Sequence, residues 1–90
     1  MTLTIREAKE HCRVLHDDED LLIQAYLDSA LAELSGYIDA PLPDPLPADL
    51  AFAAMEQVAF YYDHRADTEA KPGLVPAAAR ICARYRRVRA

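Results

Sequence analysis

Apolar residues between Asp17 and Asp39 fall at Ile23, Leu27, Ala30, Leu34 and Ile38, in steps of four, three, four and four. That spacing lines one face of an α-helix and predicts a long helix here. Leu22, Tyr26 and Tyr37 widen the stripe, while Gln24, Asp28 and Ser35 fall on the far side. The acid run Asp17 to Asp20 offers an N-cap and sets negative charge against the positive end of the helix dipole. Gly36 is expected to interrupt the last turn, and Pro41 forbids continuation.

Three further helices follow from the same pattern. Thr4 and Glu7 have the form of a capping box and open a short helix from Ile5 to about Cys12, with Ile5, Ala8 and Cys12 on its apolar face. Arg13 to His16 is an extended hinge, with Val14 and Leu15 folding back as a hydrophobic staple. Pro41, Pro43, Pro45 and Pro47 make the segment after the long helix a stiff extended connection, tacked down by Leu42 and Leu46. The alternative use of such a run is as a ligand for an SH3-type groove. A second long helix runs from Ala48 to about Arg65, with Leu50, Ala53, Ala54, Gln57, Val58, Tyr61 and Tyr62 at i, i+3, i+4 spacing. Phe52, Met55 and Phe60 broaden its stripe, so it is expected at the buried centre or on a face used in assembly. Pro76 at the first helical position starts a last helix to about Arg87, with Ile81, Cys82 and Tyr85 on one side. No segment has strand periodicity. The expected fold is all-α: one domain over residues 1–90, with two long antiparallel helices joined by the proline-rich loop and short helices at either end.

Ninety residues, 52% of them hydrophobic, can build one small core, but much of that fraction is alanine, which buries little area. Such a thin core points to neighbouring copies or partners as a source of stability. Net charge is −5 and unevenly placed. Residues 1–70 hold four basic residues and all fifteen acids, a balance of −11; residues 71–90 hold six basic residues and no acid, a balance of +6. An acidic body with a basic segment over residues 76–90 suits pairing with copies of itself or with an acidic partner. Cys12 and Cys82 are expected as reduced thiols of a cytoplasmic protein without a signal peptide. No apolar run approaches the ~18 residues of a membrane span.

Candidate chemistry is sparse. His11, Cys12, His16 and Asp17 have metal-capable side chains, but the histidines are five apart across a hinge rather than four apart on one face. The acid run lacks the alternating spacing of a calcium loop. Ser29, Ser35, Cys12 and Cys82 lie in predicted helices without a glycine-flanked elbow, and two glycines cannot make a phosphate loop. No cofactor, metal or catalytic set is expected, and an enzyme is not. The candidate partner surface is the arginine-rich end: Arg80, Arg84 and Arg87 share a face, with Arg86 and Arg89 directed elsewhere and Tyr85 among them. Tyr62 and Arg65 close the second long helix and join the candidate set. Solvated helix end, dock for acidic protein and phosphate contact all remain open for these arginines.

Glu7-Ala8-Lys9 with Arg13-Val14, the run Asp17 to Asp20 leading into Leu22-Ile23, Tyr61-Tyr62 with Arg65, and Val75-Pro76 with Tyr85-Arg86 occur in that order. In this ordered set, and in length and helical make-up, the chain resembles the gp6-like head–tail connector (adaptor) family of tailed bacteriophages and prophages. The family usually carries bulkier aliphatic residues where this chain has Ala77, Ala78, Ala79 and Arg80. The resemblance implies a structural protein of the virion neck, made in the host cytoplasm, with neither cofactor nor active site. It implies a homo-oligomeric ring of about twelve copies under the portal protein. That ring would extend the DNA channel, lie in non-specific proximity to DNA and dock the stopper or another neck or tail protein, with no membrane involved. The alternative is a small helical DNA-binding or DNA-packaging accessory protein using the arginine-rich end, although the proline run disfavours a helix-turn-helix.

Overall fold

A computed structural model describes residues 4–64 and 73–87. It consists of α1 (Ile5–Cys12), α2 (Asp20–Ile38), α3 (Ala48–Asp63) and α4 (Pro76–Arg87), with no strand among the described residues. The all-α, four-helix expectation is met.

Local chemistry explains most boundaries. Thr4 and Glu7 form the reciprocal capping box: the Glu7 amide donates to Thr4 Oγ1 at 3.3 Å and the Thr4 amide to Glu7 Oε1 at 3.2 Å. α1 ends where Arg13 turns left-handed, at φ 61°, and its amide reaches back to the carbonyls of Lys9 and Glu10. α2 runs through Gly36 without interruption. It ends instead at Asp39, left-handed at φ 63°, whose amide donates to the Ser35 carbonyl at 2.8 Å. α3 starts behind Pro47, whose carbonyl accepts from the Ala51 amide, and α4 has Pro76 as its first residue.

The acid run supplies the N-cap residue of α2, Glu19, and puts Asp20 in its first turn, where the dipole favours a carboxylate, but it makes no side-chain cap bond. The Asp20 amide is taken by the Asp17 carbonyl in a tight turn, and carboxylates of the run reach other helices. Asp17 Oδ1 lies 2.6 Å from the Lys9 ammonium of α1. Asp20 Oδ1, a buried oxygen, forms an ion pair with the same nitrogen at 2.8 Å. Glu19 accepts from the Tyr62 hydroxyl of α3 at 2.9 Å. The hinge before the run is half a staple: Val14 is buried, but Leu15 points into solvent.

The core divides in two. Leu34 and Ile38 from the end of α2 meet Leu50, Ala53 and Ala54 from the start of α3 and Ala78 and Cys82 of α4. Leu42 and Leu46 of the proline-rich connection pack onto this half. Ile23, Leu27 and Ala30 from the first part of α2 meet Val58 of α3 and Ala8 and Val14 from the N-terminal segment. α1 and α4 thus share out the α2–α3 pair between them. Among the described residues six of the fourteen buried apolar ones are alanine, so the helices approach closely while burying modest area. Gln57 is fully buried and polar, yet satisfied. Its amide nitrogen donates to the Gly73 carbonyl and its oxygen accepts from the Val75 amide, both at 2.9 Å, fixing the entry to α4.

Candidate interaction surface

α4 lies along the end of α2 and the start of α3, and Tyr85 marks the seam. The Tyr85 hydroxyl donates to Asp49 Oδ1 at 2.7 Å, and this bond with partial burial raises the phenol pKa above its ordinary value. Asp49 sits in the first turn of α3, where the dipole favours a carboxylate. Arg84 and Arg86 straddle Tyr85. Arg84 donates to Asp49 Oδ2 at 3.3 Å on the α3 side; on the α2 side the Arg86 guanidinium lies 5.0 Å above the Tyr37 ring. Both arginines remain exposed, as does Arg80 one turn before Arg84.

The candidate residues are therefore not one cluster. Arg80, Arg84, Tyr85 and Arg86 share α4, and Arg87 is its last residue. Tyr62 lies far away, bonded to Glu19 at the start of α2. Arg65 and Arg89 lie outside the described residues; α3, expected to run to about Arg65, ends at Asp63 with His64 as its C-cap. Asp49 and Tyr37 escaped the sequence reading: one looked like a helix start, the other like a stripe residue. Their use by α4 is contact between residues far apart in the chain, which periodicity does not carry.

The metal-capable residues are spread over different elements. His11 Nε2 lies 2.9 Å from Glu56 of α3, while His16 Nε2 approaches Glu19 at 3.8 Å. No group of three or more such side chains converges among the described residues. Both cysteines are free, Cys12 half-buried and Cys82 buried, and burial raises both thiol pKa values. Among the described residues no helix is long and apolar enough to cross a membrane.

α4 thus sets exposed arginines beside Asp49 of α3 and Tyr37 of α2 on one surface of a four-helix body. The family model for phage gp6-like head-tail connector proteins matches residues 2–73, and the chain belongs to that family. The match spans α1, α2 and α3 and stops short of the basic α4. Neither a curated protein nor a solved structure matches the chain.

Proposed function

We propose that the chain is a ring-forming adaptor of the phage neck. About twelve copies would sit under the portal vertex, extend the DNA channel and give the stopper or tail a platform. The observation that carries this reading, beyond family membership, is the polarity of the body. The acid run stands at the start of α2, and near its other end the exposed Arg86 of α4 lies over Tyr37, with the exposed Arg80 and Arg84 on the same helix. Unlike ends of this kind favour head-to-tail contact between copies or docking onto an acidic portal surface, with charge raising the encounter rate.

The arginines serve protein contact better than DNA readout in this scheme. Arg84 already engages a carboxylate and Arg86 an aromatic ring, the partners a guanidinium finds at protein interfaces. Deleting the segment after Ala83 would also remove Tyr85, the anchor of α4, so charge reversal is the cleaner test. Arg80→Glu with Arg86→Glu should leave a helical, folded protein that no longer co-sediments with portal-bearing heads. High salt should mimic that defect in the wild type. Normal attachment of the doubly reversed protein would show that α4 is only a solvated helix end. Loss of DNA retention alone, with attachment intact, would favour the DNA-packaging reading.

A further inference from the structure

Two leucines flanking the acid run are almost wholly in water, Leu15 at 97% exposure and Leu21 at 90%, with Leu22 partly exposed beside them. Neither can turn inward. Val14 already fills the inward position of the hinge, packed with Ala8, Ile23 and Leu27. Leu21, two residues before the buried Ile23, is turned about 200° away from it around the helix. Asp17 and Asp18, both exposed, lie between the leucines in the chain. The start of α2 therefore carries two exposed leucines and two exposed carboxylates within seven residues, apolar side chains that the described residues leave uncovered.

The complement lies at the far end of the same molecule. There the exposed Arg86 lies over the half-buried Tyr37 ring, an aromatic surface topped by positive charge, and Arg80 and Arg84 are exposed on the same helix. The nineteen residues of α2 hold the two surfaces roughly 28 Å apart. One molecule cannot close that gap on itself. Two molecules can, and the contact joins unlike patches, so each copy keeps one free end; this head-to-tail relation builds rings or filaments.

We propose that the Leu15–Asp17–Asp18–Leu21 surface receives the basic α4 of a second copy of this chain. The leucines cover the Tyr37–Arg86 stack while Asp17 and Asp18 meet the guanidiniums of Arg80 and Arg86. This contact deepens the adaptor-ring reading and rests on it.

Two variants of exposed residues test it. The first combines Leu15→Ser, Asp18→Lys and Leu21→Ser; the second combines Arg80→Glu and Arg86→Glu. Circular dichroism establishes that each is folded, and light scattering at low salt reads the mass over a concentration series. Wild type should grow in mass with concentration, and each variant alone should associate at least tenfold more weakly. An equimolar mixture should stop at the heterodimer, because the first variant offers an intact α4 and the second an intact leucine surface. Variants that associate like wild type, a mixture that stays monomeric, or a wild type monomeric throughout the series each overturn the contact. Binding to portal-bearing heads reads the underlying role separately. Wild type that fails there removes the adaptor role, whereas wild type that binds heads but stays monomeric in the concentration series keeps that role and removes the contact.

Discussion

Tyr85 and Asp49 are joined across 36 residues by a 2.7 Å hydrogen bond that pins the last helix to the first turn of α3. Its removal by Tyr85→Phe should cost about 1 kcal/mol in a denaturant melt. The phenol pKa is raised chiefly by that bond, so the contribution is complete below the ordinary tyrosine value near pH 10 and is lost as pH rises through the raised one. Wild type should therefore loosen α4 in strong alkali, and the Phe variant should lack that step. Protection factors in α4, taken relative to the base-catalysed intrinsic exchange rate, would follow the same course with pH in both proteins if the bond did not form.

Leu34 and Val58 are both fully buried but belong to different halves of the core, Leu34 with α4 and Val58 with α1. Leu34→Ala should destabilise by roughly 2–5 kcal/mol, the range for a packed leucine. Because the halves are distinct, the loss should show first as faster exchange in α4, with α1 less affected. A change below about half a kilocalorie would mean that the site collapses freely around alanine.

Lys9 clasps Asp17 and Asp20, tying α1 to the turn before α2. The hydrogen bond from Lys9 holds the Asp17 carboxyl below its ordinary range, and the two carboxylates raise the Lys9 pKa. The carboxylate's contribution is present above about pH 4 and lost as pH falls through the lowered value; the ammonium's is present up to the ordinary lysine value and lost above the raised one. Both partners keep contact with water, so the effect on stability is small. A carboxyl titration followed by NMR should show Asp17 ionising at lower pH in wild type than in Lys9→Met. Identical midpoints would dissolve the clasp.

Gly36 lies inside α2, exposed, and a Cβ added there would meet nothing within 4 Å. Gly36→Ala should stabilise the protein by about 0.5–1 kcal/mol by restricting the unfolded chain and favouring helix. A destabilised variant would reveal a neighbour at this position, such as an adjacent copy packed against it.

Much of the architecture was legible in the sequence because it is written in local chemistry. Period-3.6 apolar rows at Ile23, Leu27, Ala30, Leu34 and Ile38 bury one helix face wherever the helix docks. A capping box, a proline at the first helical position and a proline run act within a few residues, so the starts of α1 and α4 and the connection after α2 could be placed without tertiary information. Family membership belongs here too, since an ordered set of short signals survives in the chain itself. The tertiary structure decided where charge goes. The acid run marks the start of α2 as local rules require, with Glu19 at the N-cap and Asp20 in the first turn, yet the side-chain partners of Asp17, Asp20 and Glu19 are Lys9 and Tyr62, brought in by other helices. Gln57 looked like one more member of an apolar row until α4 supplied a carbonyl and an amide for it. The basic helix became a surface only when Asp49 and Tyr37 set Arg84 and Arg86 on either side of Tyr85. Backbone propensity acts over three or four residues, whereas a charged or polar side chain takes whichever partner packing brings within about 3 Å.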